Sequence, residues 1–158
     1  MHPRRDRPLG RAPTELAGRP YLQAIYDDPE FIVHNLWRLY GGWYDGDPSH
    51  LKAAPAGELA REIAALAGGP GALARRASEL AAGGELRLAG HLAELAVQAT
   101  PDDPEVHGVR AEVNRARVAA ESSLMAKGIF GWAEHESALV ARAPEGTDGG
   151  DGGRERTS

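Results

Sequence analysis

The chain contains no cysteine among its 158 residues. Disulfides, thiol nucleophiles and zinc or iron–sulfur sites built on cysteine are therefore excluded. Aromatic residues are scarce as well, with three Trp, four Tyr and two Phe. No apolar run approaches the ~18 residues that a membrane-spanning helix needs, and no apolar core follows the basic N-terminus as a secretory signal would require. We expect a soluble, cytoplasmic protein.

Charge and glycine are unevenly distributed along the chain. The formal net charge is −5, so the basic face of a nucleic-acid binder is not expected, and we expect neither nucleic acid nor a membrane as a partner. Residues 1–19 hold five arginines and several prolines, which predicts a disordered basic tail. Residues 143–158 hold five glycines, which predicts a second flexible tail. The folded domain is then expected over residues 20–142.

Hydrophobic periodicity predicts one helix after another in this domain. Asp28 is a good N-cap for a helix that ends at Gly41-Gly42. Further helices are predicted between glycine and proline breakers, over residues 56–67, 72–82, 85–99, 104–122 and 123–141. No segment alternates with the period of a strand, and 28 alanines favour helix. The predicted fold class is all-α, an antiparallel helical bundle with flexible tails at both ends.

Residues 70–103 resemble a single tetratricopeptide unit. Small or apolar residues fall at the spacing of that 34-residue repeat, and Pro101 ends the second helix. A second copy is not convincing, and a generic αα-hairpin explains the same pattern equally well, so both interpretations stay open. The positions that carry the pattern are Leu73, Ala77, Leu80, Ala89, Ala93 and Ala96.

The sequence offers little for catalysis or for metal binding. The six histidines show neither H-x-H nor H-E-x-x-H spacing. Neither the G-x-S-x-G nucleophile motif nor a phosphate-binding glycine loop occurs. A Ser/His/Asp set could still meet only in the fold. We therefore predict no catalytic residues and no metal ligands in this chain.

Four of the nine aromatic residues lie within eight positions. Aromatic side chains bury large areas and dominate the energetics of interfaces. Two interpretations stay open: the cluster forms the core of the domain, or it forms a surface that another chain or domain covers. The interface candidates are Trp37, Tyr40, Trp43 and Tyr44.

The segment around these aromatics resembles a known family. The dimerisation domain of alkylsulfatases of the metallo-β-lactamase superfamily has a stretch that contains H-N, then Y, then G-W-[YF]-D-G-N-P. The resemblance covers roughly residues 20–140, with Asp47 where the family usually has Asn. Here the stretch reads His34-Asn35, Tyr40, Gly42-Trp43-Tyr44-Asp45-Gly46, then Pro48, Leu51 and Pro55.

The resemblance implies a helical domain that ties two subunits into an interlocked dimer. It also implies that His34 and Asn35 lie close to the bound sulfate ester, where the histidine donates a hydrogen bond to a sulfate oxygen or to the leaving group. In the family, two zinc ions are held by a separate metallo-β-lactamase domain with the motif H-x-H-x-D-H. This chain lacks that motif, so we expect no cofactor in it and no sulfatase activity from it alone.

Three hypotheses follow. The first is an interaction module, homodimeric and non-catalytic by itself. The second is an accessory part of a split zinc-dependent alkylsulfatase, in which the chain joins a metallo-β-lactamase-type catalytic chain and contributes His34 and Asn35 to sulfate binding. The third is a tetratricopeptide-like peptide-binding module.

Overall fold

The computed structural model of the chain describes residues 13–143, and within these residues it contains helices and no strand. The predicted all-α fold class is confirmed. The predicted tails lie largely outside the described residues, at 1–12 and 144–158. A 3₁₀ turn at Pro20–Leu22 lies between the first two of the α-helices, which are α1 Thr14–Ala17, α2 Pro29–Gly41, α3 Pro48–Leu51, α4 Ala56–Ala67, α5 Pro70–Ala82, α6 Leu86–Ala99, α7 Pro104–Ala120 and α8 Leu124–Arg142.

Helix ends are set by the capping residues that the sequence supplies. The Asp28 carboxylate accepts a hydrogen bond from the Glu30 N–H at 2.7 Å and so caps α2. Asp103 caps α7 in the same way, and proline occupies the first turn of both helices. Gly68 ends α4 with φ +91°, a left-handed conformation that favours glycine. Each long helix accordingly begins and ends within two residues of its predicted bounds.

Helices α4 to α8 form the bundle. Successive members are joined by only two to four residues, so they run antiparallel to one another. Helix α6 lies at the centre, because α4, α5 and α7 all pack against it, and α7 in turn packs against α8. The small helices α1 and α3 were not predicted, since four residues are too few to show a hydrophobic period.

The core of the bundle is built mainly from alanine. Larger buried apolar side chains are few, namely Leu73, Val106 and Val113. Methyl side chains let helix axes approach closely, but each one buries little apolar area. The buried alanines are Ala60, Ala64, Ala74, Ala77, Ala89, Ala93, Ala96, Ala99, Ala111 and Ala126.

The inward face of α4 differs from the expected one. Hydrophobic spacing predicts a buried stripe of Leu59, Ile63 and Leu66. Ile63 does pack, partly buried, against the core, but Leu59 is half-exposed and Leu66 is 89% exposed. Ala60 and Ala64 are buried instead. The same helix carries an alanine stripe beside the leucine stripe, and close packing against α6 accepts only the smaller side chains.

The hairpin of α5 and α6 contains the small-residue positions of the predicted repeat. Ala77, Ala89, Ala93 and Ala96 are almost fully buried, Leu73 is buried, and Leu80 packs partly buried against the same cluster. These contacts are those of any close αα-hairpin. The tetratricopeptide-like assignment therefore stays a prediction.

A buried arginine joins three helices. Arg110 on α7 donates from Nε to Glu94 on α6 at 2.8 Å, and from Nη1 to the hydroxyl of Ser137 on α8 at 2.8 Å. Nη1 also lies 3.1 Å from the Glu136 carboxylate and 3.2 Å from the Ala133 carbonyl oxygen. Burial disfavours the charge of Arg110, but the hydrogen bonds and fields of the two carboxylates outweigh it, so its pKa is raised.

His107 extends this network on α7. Its Nε2 donates to the carbonyl oxygen of Pro101 at 2.7 Å, and its Nδ1 lies 3.2 Å from the Ser137 hydroxyl. Asn114 donates to the carbonyl oxygen of Arg110 at 3.1 Å. No buried side-chain nitrogen or oxygen among residues 13–143 lacks a hydrogen-bond partner. The buried polar groups at the α7–α8 contact are therefore all hydrogen-bonded.

Replacing Arg110 should test how much this junction stabilises the fold. We expect Arg110→Ala to lower the free energy of unfolding by about 2–3 kcal/mol, the range for hydrogen bonds to charged groups. Glu94 and Glu136 are half-exposed and stay hydrated, so the larger penalty of a stranded buried charge does not apply. Urea denaturation measures the difference. Arg115→Ala, which removes an exposed pair with Glu134, is the control and should cost less than about 1 kcal/mol; equal losses would contradict the assigned role.

Neighbouring alanines on α4 offer a matched test of the close helix packing. Ala64 is buried and Ala65 is exposed. We expect Ala64→Leu to cost about 1–3 kcal/mol of unfolding free energy because the contact with α6 has no room for the added atoms. Ala65→Leu should change it by no more than about 0.5 kcal/mol. If both variants melted alike in thermal unfolding, the alanine packing would not be the constraint that we describe.

Candidate interaction surface

The chain segment before α2 is fixed to the start of α8. The carbonyl oxygen of Ile25 accepts the Leu124 N–H at 2.8 Å, and that of Tyr26 accepts the Met125 N–H at 3.1 Å. The Ser123 hydroxyl also donates to the Tyr26 carbonyl at 3.1 Å. The first N–H groups of a helix have no partner within the helix. The segment therefore satisfies groups that α8 leaves open.

An ion pair fixes the first turn of α2 to α6. The Arg87 guanidinium donates to both carboxylate oxygens of Glu30, at 3.1 and 2.7 Å. The hydrogen bond from Arg87 lowers the pKa of Glu30, and burial only partly offsets it. The same bond raises the pKa of Arg87. Because Arg87 is largely exposed, this pair orients the helix more than it stabilises the fold.

Beyond its first turn, α2 stands off the bundle. None of its 13 residues is buried, and it does not pack along any other helix of residues 13–143. Its apolar side chains are consequently open to solvent, including Ile32, Leu36 and Leu39. Contiguous apolar surface of this kind is typical of interaction sites in soluble proteins.

The four aromatic residues singled out in the sequence lie on the far end of α2 and in the turn after it. Trp37 is 44% exposed, Tyr40 84%, Trp43 72% and Tyr44 39%, so they do not form the core of this chain. The rings of Trp43 and Tyr44 make an edge-to-face contact with centroids 5.9 Å apart. The Trp37 ring lies over Gly41, where an added Cβ would come within 3.0 Å of it. We call these four residues the aromatic surface; that they form an interface stays a prediction.

Two glycines and a carboxylate shape the turn that follows α2. Gly42 and Gly46 have φ +83° and +88°, which side-chain-bearing residues rarely adopt. The Asp45 carboxylate lies 2.7 Å from Nδ1 of His50. Asp47 accepts the Ser49 N–H at 3.0 Å and so starts α3. The Gly-Trp-Tyr-Asp-Gly element therefore holds its two rings by backbone geometry.

His34 and Asn35 lie side by side on the exposed part of α2. Neither makes a side-chain hydrogen bond to another of the residues that the structure describes. The field of His34 contributes, after Arg87, to the lowered pKa of Glu30. The predicted contact of His34 and Asn35 with a sulfate ester stays a prediction.

Over residues 13–143, no three His, Asp or Glu side chains converge as a metal site requires. The described residues therefore do not fit the zinc ions that the family resemblance implies for a catalytic domain. None of the helices between residues 13 and 143 has the length and apolar character needed to cross a bilayer.

Sequence reasoning missed a second exposed apolar face, on α8. Met125, Ile129, Trp132 and Leu139 are all exposed. Their spacing of four, three and seven residues places them on one side of a helix. That spacing is visible in the sequence, but buried helix faces have the same period, so the spacing alone does not show that this face is exposed.

Three comparisons with known proteins agree with one another. The family model described as alkyl sulfatase dimerisation matches residues 9–138. A linear primary-alkylsulfatase from Pseudomonas sp. (strain ATCC 19151) is 31% identical over 102 residues, which are 64% of this chain and 19% of that protein. The structure of a double mutant of the sec-alkyl sulfatase PisA1 has the same fold, with a TM-score of 0.72 at 20% identity, over 85% of this chain and 21% of that one.

The chain spans about a fifth of the length of these two relatives. The match extends over the helical bundle and over α2 with its aromatic surface. It confirms the resemblance that His34-Asn35 and the Gly-Trp-Tyr-Asp-Gly element carry in the sequence. This chain belongs to the alkyl sulfatase dimerisation family.

Proposed function

We propose that this chain is a dimerisation module that pairs with a second copy of itself through the aromatic surface. The exposure of these four rings on a helix that stands off its own bundle is the observation that carries the proposal. Tryptophan and tyrosine are the residue types most often found to dominate binding energy at protein interfaces. Membership of the alkyl sulfatase dimerisation family supports the same reading.

The aromatic surface supplies a large part of the area that a stable pairing needs. Aromatic side chains bury about 150–250 Å² each, and because the four rings are on average a little over half exposed, they can supply roughly 350–600 Å² per subunit. A standard protein–protein interface buries about 800 Å² on each partner. The aliphatic side chains of α2 add to this area.

Cover from a partner would also stabilise α2 itself. An isolated helix of 13 residues is marginal in water, and most helices in proteins are held by packing of their apolar face. In the single chain, α2 has its N-cap and the pair with Arg87 but no such packing. Dimerisation would supply the missing contact.

The proposed module is non-catalytic alone and serves an alkyl sulfate ester hydrolase. Both named relatives are alkylsulfatases about five times longer than the matched segment. The chemistry would then reside on a metallo-β-lactamase-type chain or domain that supplies zinc. Peptide binding in the tetratricopeptide manner is not favoured, because α5, α6 and α7 carry no aromatic side chain and the exposed rings lie on α2.

A second candidate function is that of an accessory part of a split alkylsulfatase. His34 and Asn35 favour it, because both are exposed and neither forms a side-chain hydrogen bond within residues 13–143. An imidazole and an amide at adjacent positions can each donate a hydrogen bond to a sulfate oxygen, which stabilises negative charge as the ester bond breaks. Such a role requires a catalytic partner chain to bring the ester to α2.

The aromatic surface is tested by Trp43→Ala. We expect the dissociation constant of the dimer to rise at least about 30-fold, equivalent to about 2 kcal/mol, because loss of a central aromatic anchor typically costs that much. The unfolding free energy of the monomer should change little, since the ring is largely exposed there. Sedimentation equilibrium measures the dissociation constant. Urea denaturation at a protein concentration low enough to keep the chain monomeric measures the unfolding free energy.

Leu66→Ala is the control for this experiment, because Leu66 is an exposed apolar residue on α4, outside α2. It should leave the dissociation constant unchanged. A wild-type chain that stays monomeric at tens of micromolar, or a Trp43→Ala dimer as tight as the wild type, would refute the proposed module.

The accessory role is tested by His34→Ala. We expect the unfolding free energy to stay within about 0.5 kcal/mol of wild type, because the side chain is exposed and makes no hydrogen bond to the other residues of 13–143. Decyl sulfate hydrolysis by a mixture of this chain with a zinc-loaded metallo-β-lactamase-type catalytic domain should fall about 10²-fold, the lower range for a lost proton donor. His135→Ala on α8 is the exposed-histidine control. Hydrolysis by the chain alone, or equal rates for both variants, would rule the role out.

A further inference from the structure

A pocket opens where α6, α7 and α8 meet beside the base of α2. Its volume is about 330 Å³, which is within the range of small-molecule sites. Two arginines, Arg87 and Arg117, line it together with His91, Glu121 and the ring of Phe130. We call it the arginine pocket. It is separate from the aromatic surface, none of whose residues lines it.

Arg117 is held in a fixed position in this pocket. Its guanidinium carbon lies 3.7 Å from the centre of the Phe130 ring. Its Nη1 donates to the side-chain oxygen of Asn114 at 3.2 Å. On its other side is Gly90, where an added Cβ would come within 2.6 Å of Nη1. The guanidinium is therefore packed between an aromatic ring and the backbone of α6, which leaves a planar set of donors at the pocket wall.

No carboxylate pairs with Arg117 among residues 13–143, whereas Arg87, Arg110 and Arg115 each form an ion pair. Glu121 lines the same pocket, but its Oε1 accepts the N–H groups of Ser122 and Ser123 at 2.8 and 3.3 Å. Burial lowers the pKa of Arg117, and the field of Arg87 acts in the same direction, while Glu94 and Glu121 only partly compensate. A half-buried cation without a carboxylate partner is stabilised by an anion that enters the pocket.

We propose that the arginine pocket is a binding site for a small oxyanion, a carboxylate or a tetrahedral sulfate- or phosphate-type group, held by Arg117 with Arg87 as the second cation. Charge-assisted hydrogen bonds from a guanidinium suit both planar and tetrahedral oxyanions. The side chains of Leu86, Ala120 and Phe130 give the pocket apolar walls beside these donors. A ligand with one oxyanion group and a short apolar part would match this lining.

The site would connect ligand binding to α2. Arg87 also holds the Glu30 carboxylate at the first turn of that helix. An oxyanion in the pocket would share Arg87 with Glu30 and so weaken the only ion pair that ties α2 to α6 among the described residues. The inference goes beyond the dimerisation proposed above and does not depend on it.

Anion titrations of the full chain test the site. Sodium sulfate and sodium acetate are titrated by isothermal calorimetry against sodium chloride of equal ionic strength, which removes general salt effects. We expect saturable binding by the wild type and at least tenfold weaker binding by Arg117→Met. Arg115→Met is the matched control, because it lies on the same helix two residues away and pairs with Glu134 at the surface. It should bind like the wild type.

Two further measurements keep the test decisive. Circular dichroism checks that Arg117→Met is folded. If it is not, Arg87→Met is titrated in its place, because the Arg87 side chain is largely exposed and its replacement should leave the fold intact. Weakened anion binding by Arg87→Met would support the site. Absence of saturable binding by the wild type, or equal binding by Arg117→Met and Arg115→Met, would overturn it. Dissociation of a dimer by Arg117→Met without anion binding by the wild type would also overturn it, by assigning the pocket to a carboxylate of a second chain.

Discussion

Close contact between alanine-lined helices is the constraint on which the rest of this structure depends. Methyl groups at the crossing points of α4, α5 and α6 bring the helices together but leave little room for large apolar side chains. Such side chains are therefore few inside the bundle and many outside it, with Tyr40, Trp43 and Trp132 among the most exposed. The small core and the exposed aromatic surface thus have the same cause, the close packing of alanine-lined helices.

Polar side chains complete what the alanine core lacks. Arg110 connects α6, α7 and α8 through carboxylates, a hydroxyl and a carbonyl, and its charge is satisfied on every side. Arg117 lies two turns further along α7 and stacks on Phe130, but it has no carboxylate partner within residues 13–143. The contrast separates a structural arginine from one with donors to spare. The same helix therefore provides both the polar junction of α6, α7 and α8 and a wall of the arginine pocket.

The sequence predicts the fold well wherever a local rule decides it. Asp28 and Asp103 are recognisable as N-caps because capping depends only on the next few residues. The inward face of α4 was predicted correctly at Ile63 but wrongly at Leu59 and Leu66, since Leu59 and Ala60 lie on adjacent stripes and only the distance to α6 selects between them. For the candidate site, the clustering of aromatics is visible in the sequence, whereas their exposure is not. Exposure depends on whether another helix covers α2, and the pocket around Arg117 depends on how the three successive helices α6, α7 and α8 pack against one another.

Fixation of α2 at one end gives the aromatic surface its particular character. Within residues 13–143, the hydrogen bonds and the ion pair that hold the helix to the bundle lie at or before its first turn, in the bonds of Ile25 and Tyr26 to α8 and in the pair of Glu30 with Arg87. The rings lie about two turns or more beyond that point, at Trp37 and further along. A small rotation at the base therefore moves the rings by a larger distance. A partner that covers the rings would fix their position. Because Arg87 also lines the arginine pocket, a ligand in that pocket would change the contacts at the base of α2. It would thereby affect the position of the aromatic surface.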